Sequence, residues 1–322
     1  MHLPDGFLDG KTALLTSAAS LAGVGMAVHR LKKTLPPRQT PMLGLSAAFI
    51  FAAQMVNFPV VAGTSGHLVG GVLAAVLLGP AAAVVVLACV LVVQCLMFND
   101  GGLLALGANV FNMALVNGAA GYLLFMVLRR LVPLRGDRAV VFAAVMAAWA
   151  GTVAAAFACG VEMACSGTVA WGVAIPAMVN IHLLIGIGEG ALTGLVVAAV
   201  LRSRRELVAA VRGGGEGQRR GLVRAGLPMA FGLALFGAPF ACPWPDGLEA
   251  VARRLGFEHR ALLPSFPSPL ADYHLPWIGS VGLATATAGA VGTLTAFLGA
   301  WWLAARLVPP TAAGKDDAPA AP

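Results

Sequence analysis

Charge is what this sequence has least of. Asp, Glu, Lys and Arg make up 11% of its 322 residues, where soluble globular chains carry about 25%. A water-soluble enzyme built around one packed core is thereby excluded. So is a disordered chain, because 59% of the residues are hydrophobic and disorder needs the opposite balance. Cysteine is sparse as well: five residues, at 89, 95, 159, 165 and 242, without C-x-x-C spacing. In apolar runs they read as small hydrophobic side chains, and they neither establish nor exclude an oxidising compartment. No ring of repeated charges appears of the kind that lines an ion-selective pore.

What the chain does have is apolar length. Mean hydropathy is +0.85, and a bilayer crossing takes about 20 residues. Apolar spans are read near 12–28, 42–58, 68–79, 81–98, 105–128, 139–159, 174–201, 225–241 and 277–304. This is the pattern of an all-α polytopic membrane protein. The third span is too short to cross alone at about 1.5 Å per residue, and Gly79-Pro80 after it is either a turn or a kink.

The basic residues decide between these. They gather at Arg30, Lys32, Lys33 and Arg38; at Arg129, Arg130, Arg135 and Arg138; and at Arg202, Arg204, Arg205, Arg212, Arg219, Arg220 and Arg224. With Arg306 and Lys315, these places hold 17 of the 21 Lys and Arg residues. If 68–98 makes two crossings, all of them fall on one side, as the positive-inside rule requires. If it makes one, 129–138 moves to the other side. Two crossings are therefore expected, with the N-terminus external and the C-terminus cytoplasmic. This distribution also accounts for the net charge of +7 without any nucleic-acid partner.

The first apolar segment does not read as a signal peptide. Only Lys11 precedes it, whereas His29-Arg30-Leu31-Lys32-Lys33 follows, the reverse of signal-peptide polarity. The bulky second residue disfavours removal of Met1, so a free amine is expected on the external side. Residues 1–201 then form a seven-helix body, and 202–224 an Arg/Gly-rich cytoplasmic linker. Residues 225–304 form two helices around an external loop at 242–276, and 305–322 a disordered Ala/Pro-rich tail.

Chemistry-bearing residues are few. His29 lies in a basic block, and His259 and His274 in the outer loop, where solvated or hydrogen-bonded roles lead. His182 sits inside the seventh span with Glu189 seven residues on, and intramembrane ionisable groups are functional candidates by default. A structural hydrogen bond between helices is an equal alternative for both. His2 differs. A His in second position offers three nitrogens in a row: the Met1 amine, its own backbone amide and its ring Nδ1. These close fused chelate rings, and a deprotonated amide favours a plane, the geometry of Ni(II) and Cu(II). His67, in the loop Gly63-Thr64-Ser65-Gly66-His67 on the same side, is a candidate for the fourth nitrogen. By spacing alone, plain hydrogen bonding is the commoner fate of such a His pair.

Two motifs add to this. Met1-His2-Leu3-Pro4-Asp5-Gly6-Phe7 resembles the M-H-[IM]-x-[DE]-G start of the CbiM/NikM family, the substrate-binding components of energy-coupling-factor transporters for cobalt and nickel. Gln54-Met55-Val56-Asn57-Phe58-Pro59-Val60 with Gly63-Thr64-Ser65-Gly66-His67-Leu68 resembles that family's second signature. The resemblance covers roughly 1–201, while Pro245-Asp246-Gly247-Leu248-Glu249 looks like the motif of the PDGLE accessory component, fused in many nickel systems. It implies that Met1, His2 and His67 bind the ion, and that the chain hydrolyses nothing and needs no cofactor, the Ni2+ or Co2+ being cargo. It also implies partners: a transmembrane coupling protein of CbiQ/NikQ type and two cytoplasmic ATPases of CbiO/NikO type. The segment 225–304 is expected to assist loading or coupling without forming the metal site, since its helices carry no His or Cys cluster. Ala18-x-x-x-Ala22 and Ala19-x-x-x-Gly23 offer either a docking stripe or internal packing.

Nickel is favoured over cobalt by the square plane and by the fused accessory segment, with cobalt uptake for cobalamin synthesis the alternative. A rival of another class is a rhomboid-like intramembrane serine protease, in which Ser65 is nucleophile and His182 base. It leaves the N-terminal motif, His67 and the outer loop without a role.

Overall fold

Asp9 opens the first helix by accepting from the Thr12 backbone N–H at 2.9 Å, the N-cap bond that Asp before an apolar run favours. In the computed structural model, which describes residues 1–61, 63–205, 208, 220–264, 266–275 and 277–308, helix α1 runs Gly10–Thr34. Its buried positions, Thr16, Ser20, Ala27 and Leu31, fall at helical spacing. Leu14, Leu15, Leu21 and Met26 stay exposed, an apolar face of the kind lipid requires. Of the small-residue stripe, Ala18, Ala19 and Ala22 are at least partly exposed, and Gly23 packs beneath Leu115.

The body continues through α2 (Thr40–Gln54), α3 (Gly71–Leu78), α4 (Pro80–Phe98), α5 (Leu106–Leu131), α6 (Gly136–Cys165) and α7 (Trp171–Arg204). Helix α8 (Arg220–Gly232) is prolonged by a π turn at Leu233–Gly237, α9 spans Gly247–Leu255 and α10 Val281–Leu307. All nine expected spans are helical. Six helices among the described residues are long and apolar enough to cross a membrane, and two more are shorter and apolar.

Helix α3 has eight residues, about 12 Å at 1.5 Å per residue. It needs no more, because the chain before it already runs inside the bundle in extended form. There its backbone polar groups must find partners, and they do. Val69 and Gly70 donate to the Glu189 carboxylate at 2.6 and 2.9 Å, and Val69 accepts from Gln54 Nε2 at 2.8 Å. At Gly79 (φ 93°) the helix breaks and Pro80 begins α4. His67 before α3 and Asp100 after α4 both meet the N-terminal residues. The segment therefore goes in and comes back, the two passes that the basic residues demanded.

One end of the bundle gathers the described residues of 1–9, 55–70, 99–105, 166–170 and 241–280. Cys242 donates to the Asn57 carbonyl, Ser65 to that of Pro245 and Leu262 to that of Asp5, while Thr168 Oγ1 donates to Phe7 at 2.6 Å. The opposite end carries the basic turns, where Arg205 pairs with Asp137 at 2.9 Å. Between the ends, α6 and α7 pair closely: a β-carbon at Gly190 would lie 2.8 Å from the Val145 carbonyl. Helix α10 lies against α2 in the same way, with Gly44 beneath Phe297.

Three sequence boundaries shift. The outer loop 242–276 contains a helix, α9. Residues 305–307, expected in the tail, complete α10, because backbone hydrogen bonding outlasts the apolar run; 309–322 lie outside the described residues. The linker 202–224 begins and ends in helix, and 206–207 and 209–219 lie outside the described residues as well.

Candidate metal centre

The N-terminal segment is threaded into the bundle. Met1, Leu3 and Phe7 are 4%, 0% and 3% exposed. Leu3 is clamped by Asn109, whose Oδ1 accepts the Leu3 N–H at 2.7 Å and whose Nδ2 donates to the Leu3 carbonyl at 3.1 Å. The buried Asp5 carboxylate accepts from the N–H groups of Leu103, Leu104 and Ala105 at 3.2, 2.8 and 3.1 Å. These N–H groups belong to the turn that leads into α5, and the carboxylate satisfies them in a buried place. A β-carbon at Gly102 would overlap that carboxylate, so glycine is required there.

This threading brings Met1, His2 and His67 together. The Met1 amine donates to Nε2 of His67 at 2.8 Å. His67 Nδ1 sits 3.1 Å from the Leu68 carbonyl; it must donate there, which leaves the lone pair on Nε2, facing the amine. Burial first, and then the neighbouring ammonium, push His67 down to about 3. The ring is neutral, with a lone pair ready for a proton or a metal. The His2 ring stacks on it, centroids 5.4 Å apart and planes 16° from parallel. His2 Nδ1 lies 3.1 Å from Asp100 Oδ1 and its Nε2 3.2 Å from Gln94 Oε1. Tyr273 closes a ring of contacts, donating to Asp100 at 2.5 Å and accepting from Gln94 at 3.4 Å. Burial lowers the His2 pKa despite Asp100 beside it.

Among the described residues no three His, Cys, Asp or Glu side chains converge as a metal site. Side chains alone do not build one, and the main-chain amine is what brings a further donor to His67.

A residue that sequence reasoning left out stands in the middle of this arrangement. Asp246, the Asp of Pro-Asp-Gly-Leu-Glu, has Oδ2 2.6 Å from the Met1 amine and 3.9 Å from His67 Nε2. The accessory segment, expected to assist loading or coupling without forming the metal site, thus touches a candidate donor through its carboxylate. Burial alone would raise the Asp246 pKa, but the ammonium, His67 and the hydrogen bonds from the Met1 amine and the Glu249 N–H together outweigh it and hold the carboxyl well below the usual carboxylate range. Its placement has a local cause. Asp246 is the N-cap of α9, and its Oδ1 accepts the Glu249 N–H at 2.9 Å while Glu249 returns a bond to the Asp246 N–H. Asp-x-x-Glu is a capping-box signature, the signal that reveals the helix. Nothing local reveals the partner 245 residues away.

Glu189 is spent on the backbone of 69–70, and His182 Nδ1 on the Met178 carbonyl of its own helix at 2.7 Å; both make structural hydrogen bonds, though neither bond joins two helices. Ser65 Oγ donates to the Trp244 carbonyl at 2.7 Å. Its hydroxyl is directed at the Trp244 and Pro245 carbonyls and makes no hydrogen bond to His182, so the two are not paired as a nucleophile and its base. His29 and His259 are exposed, and His274 is partly buried.

Comparison with known proteins decides the kinship. The cobalt uptake substrate-specific transmembrane region, CbiM, matches residues 2–207, and the PDGLE domain matches 220–308. The chain belongs to the CbiM family. It is a CbiM–PDGLE fusion, and its relatives are metal transport proteins and not enzymes. A protein of Archaeoglobus fulgidus, provisionally named a fused nickel transport protein NikMN, is 38% identical over 91% of this chain and 95% of its own. The fused nickel transport protein NikMN of Rhodobacter capsulatus is 36% identical over 65% of this chain and 64% of its own. A crystal structure of a transition metal transporter superposes with a TM-score of 0.58 at 33% identity, covering 66% of this chain and all of that one.

Proposed function

We propose that this chain is the substrate-binding component of an ATP-driven energy-coupling-factor importer, and that Met1, His2 and His67 hold its cargo, a divalent nickel or cobalt ion. The observation that carries this reading is the 2.8 Å approach of the Met1 amine to Nε2 of His67. Two nitrogens able to bind a metal lie in direct contact in a buried setting, and one of them exists only at a chain terminus. With the His2 amide and Nδ1 they supply four nitrogens for a square plane. His67 gives its lone pair without first losing a proton, and His2 Nδ1 exchanges Asp100 for the ion.

A deprotonated amide in the plane suits Ni(II), and the fused nickel relatives favour the same ion. Cobalt is the alternative on the same ligands: a cobalt transport protein CbiM of Pelobacter propionicus is 37% identical over 131 residues. ATP hydrolysis belongs to two cytoplasmic ATPases of CbiO/NikO type, acting through a transmembrane coupling protein of CbiQ/NikQ type. The end holding the metal centre is external in the cell (inner) membrane, and the basic end and C-terminus are cytoplasmic.

The test is metal binding by the full chain tagged only at its C-terminus. It should bind one Ni2+ per chain. One residue added before Met1 converts the amine into an amide, and that change, His2→Ala or His67→Ala should each weaken binding by about 100-fold or more, beyond the scale of losing an outer partner. Equal affinity in the extended and unextended proteins would overturn coordination by Met1.

A further inference from the structure

We propose that Asp246 is the carboxylate through which the incoming dication is loaded onto the nitrogen donors. The inference rests on the metal-binding reading above and gives the accessory segment a chemical part in it.

Two cavities meet at this residue. The outer one, about 590 Å³, is lined by His2, Asp100, Glu249 and Asp272. The inner one, about 10 Å³, touches Met1 and His182. His67 and Asp246 are the residues that line both, so they form the partition. A hexahydrated ion displaces about 200 Å³ at roughly 30 Å³ per water; it fits the outer cavity and cannot enter the inner one. Its water must therefore come off at the partition. There a carboxylate oxygen replaces a departing water oxygen and brings an opposite charge. Asp246 is oriented for that exchange, with Oδ1 fixed by the Glu249 N–H and Oδ2 pointing at the amine and at His67.

The ion meets this carboxylate while it is exchanging water for nitrogen: the outer cavity lies on one side of Asp246 and the inner one on the other, and His67 Nε2 is 3.9 Å from Oδ2. Asp246 therefore stabilises the crossing more than either end state, which lowers the barrier in both directions.

The experiment compares Ni2+ association and dissociation rates in the full chain for the unsubstituted protein, Asp246→Asn and Glu249→Gln. Asn keeps the N-cap and removes the charge; Gln removes a neighbouring cavity carboxylate and leaves Asp246 in place. In Asp246→Asn both rates should fall together by about tenfold or more, with the dissociation constant moved less than about threefold. Glu249→Gln should stay within about threefold of the unsubstituted rates. Unchanged association in Asp246→Asn overturns the proposal, as does faster dissociation alone, which marks a permanent ligand. Equal slowing in both variants also overturns it, by assigning the effect to the general field of the cavity. If the unsubstituted chain binds neither Ni2+ nor Co2+, the metal-binding reading itself has failed; if it binds and Asp246→Asn loads normally, only this inference has.

Discussion

Asp5→Ala is the substitution that most directly links the fold to the metal centre. The Asp5 side chain touches none of the candidate donors, yet it ties the segment that carries Met1 and His2 to the start of α5 through three N–H···carboxylate bonds. Removing it leaves those donors without partners in a buried place, at about 1–3 kcal/mol each, or about 3–6 kcal/mol together when neighbouring terms overlap. Asp5→Asn should cost less. Its remaining oxygen keeps Leu104 and Ala105, and only Leu103 meets an opposing NH2 group. The Asn109 clamp on Leu3 and the Thr168 bond to Phe7 survive in both variants, so the segment loosens without leaving. If about half of the loss, roughly 1.5–3 kcal/mol, appears as freedom of residues 1–5 in the cation-free protein, nickel affinity falls by about ten- to 100-fold, at 1.4 kcal/mol per decade. Chelator competition measures the affinity, and thermal unfolding in detergent measures the stability, with Asp5→Asn expected between the unsubstituted protein and Asp5→Ala in both. A variant that melts lower yet binds nickel within about threefold of the unsubstituted protein would refute the coupling between this anchor and the donors.

Gly247→Ala places a β-carbon 2.7 Å from Ile185 Cδ1 and 2.8 Å from His182 Cε1, an overpacking worth about 1–3 kcal/mol; α9 should lift from the bundle and be cut faster by trypsin at Arg253 and Arg254, and an unchanged digestion rate would contradict the close seat. Acid should destabilise the cation-free protein: with His67 pushed down from 6.5 to about 3, the unfolded chain takes up a proton in that window that the folded chain refuses. Stability is then complete above about pH 6.5 and declines toward about pH 3, a trend that melts across the range would show and that His67→Ala should blunt. Nickel affinity should fall on acidification as well, because amine and amide protons must leave, and a pH-independent affinity between about pH 6 and 8 would speak against both donors.

The membrane architecture was legible because lipid leaves the sequence few alternatives. Every span must be apolar and helical, and the segregated Arg and Lys residues resolved the hardest stretch, 68–98, into two passes. What hydropathy did not show is how an eight-residue helix suffices for one of them. The answer lies in polar residues of other helices: Glu189 and Gln54 satisfy the non-helical backbone at 69–70, and Asn117 accepts the Val72 N–H in the first turn of α3. Read one at a time, such residues look like candidate chemistry. Glu189 drew attention as an intramembrane acid, and its two backbone bonds account for it. Helix ends were misjudged for a simpler reason: hydropathy stops at the polar boundary, whereas helical hydrogen bonding in α6, α7 and α10 runs several residues beyond it.

The candidate metal centre was legible where its residues are neighbours in sequence. Three nitrogens in a row at Met1 and His2 are a local property of the chain, and His67 lay on the same face by topology. Asp246 was not legible, because its function is divided between two scales. As a helix cap it belongs to Asp-x-x-Glu, a pattern that could have revealed α9 inside the Pro-rich loop. As the partner of the Met1 amine it depends on α10 packing against α2, on Ser65 bonding to Trp244, and on Gly247 fitting beside His182, contacts that no local pattern records. A buried ammonium without a counter-charge would cost several kcal/mol, so the N-terminal segment cannot settle in the cation-free state until some carboxylate arrives. In this chain that carboxylate comes from the PDGLE segment. The accessory domain is therefore part of the physical chemistry of this candidate site even before an ion is present, and fusing it to the body supplies every N-terminal amine with that carboxylate.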